Sequence, residues 1–182
     1  MSPRLQRAIV AITTMMATFL VILDVTIANV ALDHMRGSLS AGVDEITWVL
    51  TSFLVANAIS LPITGWLTDL LGRKRLFIVA TAAFTITSAA VGAAPSLAVI
   101  VIARFLQGLA GGPLVPLSQS TMIETFPARQ SGMAMAIWGI GVAMSDNFLK
   151  PLLIGQSLRM PLALVLVGVL GGFLSFGFLG LF

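Results

Sequence analysis

The chain has 182 residues, of which 58% are apolar and only 9% charged, with a formal net charge of +3. No soluble domain needs that balance to bury one core, so the composition fits a lipid bilayer as solvent. The lack of Cys excludes disulfides and thiolate metal sites, and a lone His34 excludes an imidazole cluster. The excess of Lys and Arg lies mostly at the ends of apolar stretches, which argues against a nucleic-acid groove.

A bilayer core of about 30 Å takes roughly 20 apolar residues as helix. The first such stretch is Ala8 to Leu32. Arg4 and Arg7 precede it as they would a signal peptide, but it is too long for one and no small-residue cleavage site ends it, so it reads as a retained spanner. Ile46 to Leu70, Leu76 to Ala93 and Leu97 to Met122 follow, then a short stretch from Gly132 to Met144 and a last one from Met160 to Phe182. The fold class is therefore all-α, a polytopic membrane protein of five or six spanners.

The breaks set an orientation. Arg4 and Arg7 precede the first spanner and Arg73, Lys74 and Arg75 follow the second, whereas Asp33, Asp44 and Glu45 outnumber Arg36 between them. Lys and Arg stay on the cytoplasmic side, so the N-terminus is expected inside a cell membrane, the inner or plasma membrane. Ala94, Pro95 and Ser96 make a tight outer turn, and Glu124 to Ser131 an inner one. From Ser145 the pattern changes: Gly132 to Met144 rises only about 20 Å as a helix, and Lys150 and Arg159 then fall on the wrong side for the charge rule.

Charged side chains inside hydrocarbon are costly and mark a partner or a water-filled path. Asp24 lies about 12 Å inside the outer end of the first spanner, and Arg104 about 10 Å inside that of the fourth. Opposite charges at matched depth lower each other's desolvation cost, and such a carboxyl can exchange a proton as the pairing changes. Asp24 and Arg104 are thus candidates for a functional couple; the alternative is that Arg104 snorkels outward while Asp24 reaches interfacial water. Gln107, one turn below Arg104, and Asn57, about 16 Å into the second spanner, are candidates for a substrate path near the midplane, or for plain interhelical hydrogen bonding. Gly108, Gly111 and Gly112 offer a flat face for close helix packing, and Pro113 and Pro116 interrupt the same helix. No metal-ligand set, nucleophile triad or nucleotide loop is present, so no enzyme is expected.

At the inner end of the second spanner, Gly65, Asp69 and Gly72 are followed by Arg73, Lys74 and Arg75, a grouping that could latch one conformation through charged hydrogen bonds. The wording GWLTDLLGRKR, Gly65 to Arg75, resembles the loop signature of the major facilitator superfamily. LDVTIANVAL (Leu23 to Leu32), WVLTSFLVANAISLPITG (Trp48 to Gly65) and RFLQGLAGG (Arg104 to Gly112) resemble the first, second and fourth spanners of its fourteen-spanner drug and proton antiporters. The resemblance implies proton coupling at Asp24 and Arg104, a cytoplasmic latch at Asp69 and Arg73, and export of amphipathic or cationic small molecules. The energy source would be a proton gradient, with no other cofactor.

AMAIWGIGVAM, Ala134 to Met144, begins like the family's fifth spanner, but the expected Gly-Pro step is absent at Ser145. The remaining segment, 145–182, resembles the autoinducer-two exporter family in Asp146, Asn147, Pro151, Gly155, Gly171, Gly172, Gly177 and Gly180. Two parts are therefore expected, 1–144 and 145–182, joined near Ala143 to Asp146 as in a fusion or chimeric reading frame. A major facilitator transporter needs two six-spanner halves, so this text reads as a fragment. The alternative to transport is a small membrane protein that forms homo-oligomers, or joins a full-length exporter, through Gly-rich faces.

Overall fold

The computed structural model describes residues 2–39 and 41–144. Six α-helices account for nearly all of them: α1 Pro3–Leu39, α2 Val43–Leu71, α3 Arg73–Gly92, α4 Leu97–Gly111, α5 Leu114–Thr125 and α6 Ala128–Met144. No strand occurs among the described residues. Four helical stretches are long and apolar enough to cross a membrane: Leu5–Leu39, Val43–Leu71, Arg73–Gly92 and Leu97–Thr125. The stretch from Met160, the tail 145–182 and its resemblance to a second exporter family lie outside the described residues.

The helices overrun the apolar stretches because the polar breaks hold few residues that stop a helix. α1 continues seven residues past Leu32 and takes Asp33, His34 and Arg36 into its last, exposed turns. α2 starts where the Glu45 carboxylate accepts the Gly42 N–H at 3.0 Å, and Asp44 and Glu45 complement the helix N-terminus. Between α2 and α3 a single residue remains, Gly72, with φ at 78°. Only glycine takes that conformation without strain, which lets two helices meet with no loop. α2 runs through Pro62, an interruption the sequence reading passed over. The inner turn shrinks to Phe126 and Pro127, whose carbonyl accepts the N–H groups of Gln130 and Ser131 to start α6.

α4 and α5 form one membrane-crossing stretch interrupted at Gly112 and Pro113. Gly112 and Pro113 keep right-handed helical dihedrals. The break therefore lies in the hydrogen-bond ladder, as expected where Pro lacks an amide donor. α2 and α4 run side by side in the same direction, as the approaches of Gly108 to Phe53 and of Gly112 to Ser60 show, and α1 lies against α5 with the opposite sense, Leu32 beside Ile46 and Ile100 and Ala11 beside Met122.

Three apolar clusters stack along the bundle. Ile46, Val49 and Ile100 pack with Leu32 and Leu97 at the end opposite the N-terminus. Ala17, Val21, Phe53, Phe84 and Leu114 fill the middle. Met122, Ala134 and Trp138 pack with Ala11 and Met15 at the N-terminal end. Outward faces stay apolar, with Trp66 63% and Ile86 69% exposed, which suits lipid better than water. The buried hydroxyls of Thr18, Thr64 and Thr81 each donate to the carbonyl four residues back, which satisfies them without another helix.

Candidate functional site

Helical periodicity places Asp24 on the buried face of α1 with Thr26, Ile27 and Ala28, and puts Arg104 and Gln107, one turn apart, on the buried face of α4. The two faces meet. Arg104 Nη1 donates to Asp24 Oδ2 at 2.5 Å and to Gln107 Oε1 at 3.0 Å. Gln107 Nε2 completes the ring by donating to Asp24 Oδ1 at 2.8 Å, and Ser88 on α3 approaches the same oxygen at 3.4 Å. The side chains of Arg104 and Asp24 are 4% and 7% exposed, so the pair is shielded from water.

Each donor has a distinct role. Arg104 brings the countercharge that makes a buried carboxylate tolerable. Gln107 uses both ends of its amide, accepting from the guanidinium and donating to the carboxylate, so it couples the two charges and fixes their geometry. Below the guanidinium lies the Phe53 ring of α2, with 5.8 Å from the guanidinium carbon to the ring centroid, within cation–π range. Arg104 Nε is buried and makes no hydrogen bond among the described residues. Arg104 therefore does not snorkel outward, and Asp24 does not end in interfacial water.

The other sequence candidates divide. Gln107, a candidate for a substrate path or for interhelical hydrogen bonding, is fully buried and bonds to both Arg104 and Asp24. Asn57 is half-buried on α2, one turn before Ser60, and its side chain makes no hydrogen bond among the described residues. Gly108 and Gly111 of α4 and Gly112 just beyond it are all occupied within the bundle. A Cβ on Gly108 would collide with the Phe53 carbonyl and stand 2.8 Å from Ala56 Cβ; on Gly111 it would press on the Phe84 ring at 3.1 Å, and on Gly112 on Ser60 Cβ at 2.7 Å. That face is spent on α2 and α3 and is not free to bind another chain.

At the N-terminal end of the bundle, Arg73 pairs with Glu124 rather than Asp69. The choice has an electrostatic reason. Arg73 opens α3, where the helix dipole disfavours a cation, and Glu124 lies in the last turn of α5, where it disfavours an anion. Their pairing offsets both. Asp69, Lys74 and Arg75 are exposed, and Gly65 faces open space with nothing within 4 Å of a built Cβ. Glu124 was missed as a partner because it lies 51 positions from Arg73 in the text; its place in the turn after the fourth spanner was the available signal.

A second feature lies between α1 and α6. A groove of about 290 Å³ is lined by Met15, Met16, Phe19, Ile22 and Trp138, with Gly141 and Val142. Met side chains adapt to varied apolar shapes. Among the described residues no group of three or more His, Cys, Asp or Glu could hold a metal ion.

Comparison with known proteins adds a family. The chain is 47% identical over 133 residues to the multidrug export protein EmrB of Haemophilus influenzae, covering 73% of this chain and 26% of that protein. It is 44% identical over 140 residues to EmrB of Escherichia coli K12, covering 77% and 27%. To the fatty acid resistance protein FarB of Neisseria gonorrhoeae it is 43% identical over 156 residues, covering 84% and 31%. The chain thus spans between about a quarter and a third of the length of these relatives. The family model described as Major Facilitator Superfamily matches residues 14–182, which takes in the tail beyond Met144. On that match the chain belongs to the major facilitator superfamily.

Proposed function

We propose that this chain supplies the proton-coupling part of an exporter that exchanges protons for amphipathic or cationic small molecules. One observation carries the reading: the buried ring of Asp24, Arg104 and Gln107 that ties α1 to α4. Protonation of Asp24 removes the charge that Arg104 balances and leaves a neutral acid beside an uncompensated guanidinium. The attraction between α1 and α4 then falls, and the bundle is biased toward a second arrangement. Loss of the proton restores the pair, so proton occupancy and conformation become linked.

The groove between α1 and α6 supports the substrate class, since its Met and aromatic lining suits apolar bodies of differing shape. Arg73, Glu124 and the neighbouring Asp69 form the candidate latch, at the end of the bundle where Arg7, Lys74 and Arg129 also lie. By the charge rule that end is cytoplasmic in a cell membrane. The relatives' names, multidrug export protein and fatty acid resistance protein, support export of small molecules as the task. No cofactor beyond the proton gradient enters the reading.

The test is proton-driven efflux in an intact transporter that carries this segment. Asp24→Asn and Arg104→Lys are each expected to abolish uphill efflux while leaving protein in the membrane. Unchanged efflux in both would sink the couple.

A further inference from the structure

Pro113 has no amide hydrogen, so the carbonyl four residues earlier, that of Leu109, loses its helical donor. The nearest amide before it cannot substitute, because Gly112 N–H already donates to the Gly108 carbonyl at 3.0 Å. The vacancy is filled from another helix. Ser60 Oγ of α2 donates to the Leu109 carbonyl at 2.7 Å, and Ser60 is buried. This is the one polar side chain of α2 that bonds to α4 among the described residues.

We propose that Ser60 acts as the backbone donor that Pro113 lacks, and that this bond positions Arg104 and Gln107 against Asp24. The geometry around it is tight on both sides. A Cβ on Gly112 would meet Ser60 Cβ and the Asn57 carbonyl, and one on Gly108 the Phe53 carbonyl and Ala56, so the broken stretch beginning with α4 lies close along one face of α2. Leu109 is two residues beyond Gln107, and Phe53, two turns before Ser60, lies under the Arg104 guanidinium. The register of α2 on α4 therefore fixes where the two donors to Asp24 stand. Without the Ser60 bond, the ladder of α4 stays open just below the ion pair, and the helix can hinge there. Ser60 is a positioning residue that touches neither proton nor substrate. The assignment rests on the transport reading above for its role, but not for the bond itself.

The test is a double-mutant cycle in the intact transporter. Pro113→Ala returns an N–H to the Leu109 carbonyl and makes the serine hydroxyl redundant. Ser60→Ala alone is expected to lower the apparent melting temperature in detergent by about 2 to 4 °C and to slow proton-driven efflux of a cationic dye about fivefold. In the Pro113→Ala background the same substitution is expected to change neither. Equal losses in both backgrounds would overturn the donor assignment. A non-additive melting cycle in a transporter whose efflux ignores Ser60→Ala would overturn the positioning role. If the parent protein shows no proton-driven efflux, the transport reading fails and the positioning role falls with it, while the melting cycle still decides the bond.

Discussion

Asp24 and Arg104 are each costly in a low-dielectric interior, and each is tolerable because of the other. Removing one partner of such a pair costs about 3 to 5 kcal/mol, since the remaining charge stays buried. Asp24→Asn is therefore expected to lower the melting temperature sharply, and Asp24→Asn with Arg104→Gln to recover much of the loss. Thermal unfolding in detergent measures both. At Gly108 the cost is steric: a methyl group would meet the Phe53 carbonyl and Ala56. Gly108→Ala should destabilise by about 1 to 3 kcal/mol, because α2 and α4 must part to admit it. Gly65→Ala is the internal control. Its Cβ meets nothing, and replacing a mid-helix glycine should raise stability by up to about 1 kcal/mol.

At the scale of helices, the Arg73 and Glu124 pair links the start of α3 to the end of α5 at a surface where its side chains are 37% and 61% exposed. Exposed pairs contribute about 0 to 1 kcal/mol. Glu124→Gln is expected to leave melting nearly unchanged while altering efflux rate, the signature of a latch that sets conformation rather than stability; a large melting loss would argue against it. The sequence made the four long apolar helices legible, along with the pairing of Asp24 with Arg104, because matched depth is a property of spacing alone. Helix ends were not legible: Gly72 replaces a whole loop, since neither Asp69 nor Arg73 stops a helix. Nor was the partner of Arg73, because depth says nothing about which helices stand side by side. Ser60 was overlooked for the same reason, although the missing amide of Pro113 already announced that the Leu109 carbonyl needed a donor.

The bundle as a whole is a set of helices joined inside by one buried charged ring, with the exposed Arg73 and Glu124 pair and the Ser60 bond to the Leu109 carbonyl as further polar links and apolar contact around them. On the proposed reading the ring is where a single proton would alter the relation of α1 to α4, since it is the buried charged contact between them. If Asp24 carries the coupled proton, substrate binding and proton binding must be reciprocally linked. The direct measurement is proton release when substrate is added to the detergent-solubilised intact transporter, followed with a pH-indicator dye in weak buffer. The parent protein is expected to release up to roughly one proton per substrate bound, as linkage between the two sites requires, and the Asp24→Asn variant none. Release of the same amount from the variant, with substrate still bound, would contradict the account.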